Sequence, residues 1–336
     1  MAWWQHVRTG AALAIGVLLL VTVVPAASAP GFTPSRPVEW TIPAGTGGGA
    51  DLQARFMSPL ILLHKLSPQP FIPVNRSAGA GAQAFLYVVE KAGDPHQILI
   101  TLDNLFFTPL NQDLKMPDGT RFEWRDLTPI ARLLLDNFIV WVPADAPYKT
   151  LADFERAAKA APRGSIKMAG TGARQEDEII MVLLEQAWGV DFTYVPFPGG
   201  GQVAAALVGK QVEFTVNNPL EAVGHWEGNR VRPLAIFATR RVQAAKWKDI
   251  PTMRESGTPI DYQMLRGIFG PPNMPTEAAA FYQTMFRRLL DTPEMEKFIA
   301  DGGFDKAYLA GADFVRWLEQ KDAAVKALMQ KAGWIK

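Results

Sequence analysis

Apolar residues recur along this chain in short uninterrupted runs that alternate with longer stretches of helical spacing, and that alternation predicts its elements. Residues 38–42 read as a strand. Residues 51–65 carry apolar positions at Leu52, Phe56, Leu60 and Leu63, the spacing of a helix that buries one face. A strand near 71–74, a helix over 83–91 and an apolar run at 98–102 follow, the last with the character of a strand covered on both faces. The apolar stretch 131–142 is expected to carry the chain into a second lobe. There a helix over 150–160 precedes strands at 165–169, 192–196 and 212–216, with helices over 175–188 and 202–208 between them. The strand 231–238 is expected to lead back to the first lobe, where helices are expected over 277–290, 293–301 and 312–332. Strands alternating with helices imply an α/β fold with mainly parallel sheets flanked by helices.

Glycines mark the junctions. Gly45-Thr46-Gly47-Gly48-Gly49, Ala78-Gly79-Ala80-Gly81, Gly170-Thr171-Gly172 and Gly199-Gly200-Gly201 each follow a strand-like run and precede a helix-like one. The first turn of a helix has unpaired N–H groups, and glycine lets a bound group approach them without a Cβ in the way. Such a junction suits an anion. In open α/β sheets ligands sit beyond the carboxyl ends of strands, where all four loops fall. Any one of them is explained by a tight turn alone; four together point to a cleft that holds a small anion through main-chain donors.

Length and composition narrow the class. The 336 residues suggest about two domains, and 48% hydrophobic residues supply a core for them. Residues 1–29 have the layout of a secretory signal peptide: a polar start through Arg8, an apolar run from Ala11 to Val24, then Pro25 and the small residues Ala26-Ala27-Ser28-Ala29. Cleavage is expected after Ala29 or after Ala26, with a periplasmic product. Removing this segment takes away Arg8 and no acid, which leaves basic and acidic residues in balance. The basic excess on which nucleic-acid binding rests is missing. Cysteine is absent, which excludes disulfides, thiolate catalysis and thiolate metal sites. The first loop fits a G-x-G-x-x-A fingerprint through Gly45, Gly47 and Ala50, but no acid lies between Asp51 and Glu90 to meet a ribose. No cofactor is expected. The histidines are isolated, and no nucleophile elbow, zinc-protease helix or P-loop occurs. No metal site or catalytic residue is assigned.

The order of the motifs carries a resemblance. Pro43 to Asp51 with Ala54-Arg55, Val74-Asn75-Arg76-Ser77 before the second loop, Tyr194-Val195-Pro196-Phe197 before the fourth, Ile250-Pro251-Thr252-Met253 with Glu255-Ser256-Gly257, and Gly267-Ile268-Phe269-Gly270-Pro271-Pro272 together resemble the tripartite tricarboxylate transporter substrate-binding proteins, also called the Bug family. The resemblance spans nearly the whole chain beyond the leader. It implies a two-lobed periplasmic binding protein of type II fold with the ligand between the lobes. It also implies a small carboxylate as ligand, held by backbone groups of Gly45 to Gly49, of Gly170, Thr171 and Gly172, and of Pro198 to Gly201. Asp103-Asn104 stands where relatives often carry a Ser/Thr-x-His-x-x-Asn type of segment, and Asn217-Asn218 replaces an Asp-Asn.

The candidate ligand-binding residues are therefore Gly45, Thr46, Gly47, Gly48, Gly49, Gly79, Asp103, Asn104, Gly170, Thr171, Gly172, Arg174, Pro198, Gly199, Gly200 and Asn218. Thr46 and Thr171 either donate hydroxyls to a carboxylate or stabilise their turns. Asp51 caps its helix. Glu176, Asp177 and Glu178 favour a helix dipole but compete with an anionic ligand. Arg174 and Arg76 pair with a distal carboxylate or lie on the surface. Phe106, Phe107 and Phe197 either pack a ligand's carbon skeleton or fill the core. The expected domains are a tether at 30–37, a first lobe at 38–133, a second at 134–248 and a return to the first at 249–336. The expected function is capture of a di- or tricarboxylate, an aromatic acid or an amino acid by a monomer that delivers it to the permease subunits of a tripartite tricarboxylate-type transporter. The alternatives are a ligand-sensing partner of a membrane sensor and an exported α/β enzyme acting on a carboxylate.

Overall fold

The computed structural model describes residues 31–336; the signal-peptide reading lies outside them. The chain runs β1 (Val38–Ile42), α1 (Gly49–Leu63), β2 (Phe71–Asn75), α2 (Ala82–Val89), β3 (Gln97–Thr101), α3 (Asn104–Gln112), β4 (Thr128–Asn137), β5 (Ile139–Pro143), α4 (Leu151–Ala160), β6 (Lys167–Thr171), α5 (Glu176–Trp188) and β7 (Thr193–Phe197). It continues through α6 (Gly200–Val208), β8 (Phe214–Thr215), α7 (Pro219–Glu227), β9 (Val231–Ile236), β10 (Gln263–Gly270), α8 (Thr276–Leu290), α9 (Pro293–Asp301), β11 (Asp305–Ala310) and α10 (Gly311–Lys331).

Two sheets result, one six-stranded in the order β11-β4-β10-β3-β1-β2 and one five-stranded in the order β7-β6-β8-β5-β9. Each is mixed. Parallel pairing is confined to β2-β1-β3 and β7-β6-β8, where the strand–helix repeats lie. The strands that carry the chain between the sheets, β4, β5, β9 and β10, pair antiparallel because each leads out of one sheet and back. Each sheet is buried under helices. Trp40, Ile98, Ile100 and Leu133 of the first sheet pack with Met57 of α1 and Tyr282 and Phe286 of α8, while Trp141 and Ile236 of the second pack with Leu207 of α6 and with Trp247.

The crossing between sheets differs in position from the sequence expectation. β4 stays in the first sheet through Asn137 and β5 belongs to the second from Ile139, so the lobe change falls at Phe138 and not after 133. The return also comes later than 249. Residues 239–262 stay with the second lobe: Ile236 and Met253 bond along this loop, and Trp247 and Ile250 enter the second core. Phe237 N–H donates to the carbonyl of Phe138 at 2.9 Å, and Tyr262 N–H to that of Phe237 at 3.0 Å, so the two connecting strands lie side by side. Strand β11 has no counterpart among the elements expected from the sequence. It pairs with β4 at the sheet's edge and is half-exposed, so it lacks the apolar run that marks a buried strand. The expected tether is docked: Phe32 packs edge-on against Phe281 at 5.7 Å, and Ser35 N–H donates to His96.

Candidate functional site

The carboxyl ends of the parallel strands of both sheets face one another. A Cβ on Gly45, after β1, would lie 3.3 Å from the Pro198 carbonyl oxygen after β7, and one on Gly199 would lie 3.8 Å from the Gly45 Cα. The loops from the two lobes are thus in contact, and cavities remain between them. The outer cavity, of about 440 Å³, is lined by the loop after β2 (Ser77 to Ala80), by Asn104 and by Thr171 to Ala173 with Gln175, Glu176, Phe197 and Pro198. A deeper one of about 50 Å³ is lined by Gly48, Gly49, Asp177, Gly199, Gly200, Asn218, Glu221 and Arg266. Ala44, Leu102, Thr171 and Glu176 line both.

Of the candidate residues, Gly79, Asn104, Thr171, Gly172 and Pro198 reach the outer cavity, and Gly48, Gly49, Thr171, Gly199, Gly200 and Asn218 the inner one. Gly45 only makes the inter-lobe contact. Four others stand elsewhere. Thr46 is exposed, and Gly47 donates its N–H to Asp51 Oδ2 at 3.0 Å. Gly170 lies within β6, where a Cβ would meet Tyr194 and Asp177 at 2.5 and 2.6 Å, so its glycine serves packing. Arg174 is exposed, in left-handed backbone (φ 54°), and only its carbonyl meets the other lobe, at Asn111. Asp103 is a further correction. It is buried, lines neither cavity, and takes hydrogen bonds from Tyr262 at 2.7 Å and from Leu265 N–H at 3.0 Å, with Lys321 at 2.6 Å, so it ties α3 to β10 and α10. Among the other side chains considered, Arg76 pairs with Glu39 and lies over the Tyr87 ring, Phe106 and Phe107 fill the core, and Phe197 lines the outer cavity.

The chain's own carboxylates occupy many of the main-chain donors that the glycine loops offer. Thr171 N–H donates to Asp177 at 2.6 Å, Arg174 N–H to Glu178, and Gly172 N–H to the Phe197 carbonyl at 2.9 Å. Most telling is Glu221, at the third position of α7. One oxygen accepts from Asn217 and Asn218 of its own lobe at 3.0 and 3.2 Å; the other accepts from Gly49 N–H of the opposite lobe at 2.9 Å. A carboxylate of the protein therefore sits on the positive end of α1, where an anion is favoured. Glu221 is absent from the residues expected from the sequence, although Asn218-Pro219-Leu220-Glu221 is a capping-box pattern. Its reach across the lobes has no local signal. Replacing Glu221 by alanine is expected to cost about 1–2 kcal/mol through the lost cap and to enlarge the ligand-free molecule in small-angle scattering, since the Gly49 contact goes with it. An unchanged radius of gyration would show that this contact does not hold the lobes together.

Donors remain free in the outer cavity. The N–H groups of Ala78, Gly79, Ala80 and Ala173 make no hydrogen bond among the described residues, and neither do those of Gly199 and Gly200 at the start of α6. Beside them is a concentration of acid. Glu176 and Asp177 are buried at the start of α5; burial, reinforced by the charge of Asp103, pushes the Glu176 carboxyl up to about 7. Burial likewise holds Asp177 well above the ordinary range. Arg266 is the one basic side chain that lines either cavity, and it is committed to Asp136 through its Nε at 3.0 Å and through Nη2. No cluster of His, Cys, Asp and Glu among the described residues could hold a metal ion.

This geometry, a cleft between two α/β lobes lined at strand ends, agrees with what the chain is similar to. A profile of the tripartite tricarboxylate transporter family receptor matches residues 62–334. A UPF0065 protein in the gbd 5′ region of Cupriavidus necator is 24% identical over 332 residues, 98% of this chain and 97% of that one. A solved R. palustris protein with adipate superposes with a TM-score of 0.79 at 22% identity, over 89% of this chain and 98% of that one. MatC from Rhodopseudomonas palustris with bound malate gives 0.74 at 22% identity, over 88% and 99%. The chain belongs to the tripartite tricarboxylate transporter receptor family.

Proposed function

We propose that this protein is a periplasmic solute receptor that captures a small organic acid between its lobes and hands it, as a monomer, to the membrane subunits of a tripartite tricarboxylate-type transporter. The observation that carries the reading is the outer cavity, of about 440 Å³, bounded by both lobes and bordered by unengaged backbone N–H groups at Ala78 to Ala80 and at Ala173. Its size suits a ligand of small-molecule dimensions. Oriented amides in a partly dry cleft bind a carboxylate through charge-assisted hydrogen bonds, stronger there than in water. The R. palustris relatives with adipate and malate support an acid as the ligand's class. Two lobes joined by adjacent strands at Phe138 and Phe237 can hinge, and a ligand that touches both favours the closed arrangement.

A thermal-shift screen of di- and tricarboxylates, aromatic acids and amino acids tests the proposal. A ligand of the folded state at a hundred times its Kd adds about 2.7 kcal/mol, enough to raise the melting temperature visibly. Stabilisation by uncharged compounds alone would overturn it.

A further inference from the structure

One carboxylate of the protein stands where an anionic ligand would be drawn, for Glu221 meets three helix starts at once. Its Oε1 accepts from the N–H of Gly49, the first residue of α1, at 2.9 Å. Its Oε2 accepts from Asn218 N–H, ahead of α7, at 3.2 Å and from Asn217 Nδ2 at 3.0 Å. At the third start, a Cβ on Gly200, the first residue of α6, would overlap the same carboxyl group. Each of these ends is the positive pole of its helix. A cation borders the other side of Gly49. Arg266 lines the inner cavity with Glu221, and a Cβ on Gly49 would lie 3.5 Å from its Nη1, which has no hydrogen-bond partner although the side chain exposes only 1%. Donors, helix poles and guanidinium together describe an anion subsite, and its occupant is the protein itself.

Occupation has a consequence for the ligand. The outer cavity offers about 440 Å³ and free amides for a first carboxylate, whereas about 50 Å³ remains around Glu221, room for a few waters. The two cavities share Ala44, Leu102, Thr171 and Glu176, so an acid long enough to cross them brings its far end to Glu221, which is partly exposed. A second carboxylate arriving there meets Glu176, Asp177 and Glu221 against Arg266, itself paired with Asp136. Like charges at that distance repel, and the donors that would offset the repulsion at Gly49, Asn217 and Asn218 are already taken. Resting on the organic-acid reading above, we propose that Glu221 is the specificity-determining residue of the cleft: its tethered carboxylate fills the inner anion subsite, so the receptor selects acids with one carboxylate, held on the outer amides, and rejects those with a second carboxylate at the far end.

The test uses pairs equal in length that differ in one charge, measured on the mature chain at pH 8 by titration calorimetry: succinate with succinamate, glutarate with glutaramate, and adipate with its monoamide. In the wild type at least one monoamide is expected to bind about tenfold or more tighter than its diacid. Glu221→Ala removes a group the size of acetate and frees its donors, so the diacid of that pair is expected to gain about tenfold or more. Acetate is expected to raise the melting temperature of Glu221→Ala more than that of the wild type, and neutral acetamide to do neither, a rescue that loss of a helix cap alone does not predict. Diacids that bind the wild type as tightly as their monoamides would overturn the selectivity and leave the organic-acid receptor standing. An order unchanged in Glu221→Ala, with no added response to acetate, would overturn the role of Glu221 alone. No binding in any pair removes the organic-acid reading and this one with it. Should Glu221→Ala fail to fold, the wild-type pairs decide.

Discussion

Replacing Arg266 by methionine is expected to lower the free energy of unfolding by about 3–5 kcal/mol, the cost of leaving a buried charge without its partner. Arg266 and Asp136 each expose 1% of their side chains. They stand on β10 and β4, which pair antiparallel with Met264 opposite Asp136, so the guanidinium reaches its carboxylate along the sheet. The pair is not fully satisfied: Arg266 Nη1 and Asp136 Oδ1 have no partner, and burial pushes the Asp136 carboxyl up to about 6 against the pull of Arg266. Taking the arginine away removes that pull and leaves the acid either charged in an apolar setting or protonated. The double replacement Arg266→Met with Asp136→Leu is therefore expected to recover most of the loss, a coupling that a double-mutant cycle in urea would measure. Gly49 belongs to the same construction. A Cβ there would run into Arg266 Nη2, so Gly49→Ala must displace a side chain that has no free space. A loss below about 1 kcal/mol for Arg266→Met, well short of what breaking a buried ion pair ordinarily costs, would show that the pair contributes nothing net.

The fold was legible wherever a local pattern carried it. Strand-loop-helix units announce themselves by an apolar run, a glycine cluster and helical spacing, and α9 lies at the expected Pro293–Asp301 because Thr292 and Pro293 form a recognisable start. The lobe boundary at Phe138 was hidden because 131–142 is apolar almost throughout, and apolarity does not say to which sheet a residue belongs. The site was legible as a set of loops and not as a set of contacts. The glycines mark where backbone amides lie, but which amides are free depends on carboxylates that fold back on them. Asp51 does so from four residues away, Asp177 from six, and Glu221 from 172. Only the first kind leaves a trace in a short window. Arg266 is a lone charge in the apolar run 264–269, which marks it as unusual, but its partner lies 130 residues earlier.

Glu176→Gln is expected to stabilise the ligand-free protein at pH 8.5 by about 2–3 kcal/mol and to have little effect at pH 5. The sign follows from proton binding. The unfolded carboxyl releases its proton near 4.5, whereas in the folded chain burial holds it up to about 7. Between those values the native state binds more protons than the unfolded one, so the stability of the wild type falls as pH rises through this window and is level above it. Glutamine has no charge to bury, and the difference between the two proteins therefore opens from about pH 4.5 to about 7. Around Glu176 stand Asp103 ahead of α3, Lys321 on α10 and Asp177 on α5, with Tyr262, Glu221 and Arg266 beyond. Those groups are common to both proteins and largely cancel in the comparison. Urea unfolding of both at pH 5, 7 and 8.5 measures it. A constant difference across that range would mean that Glu176 does not titrate on folding.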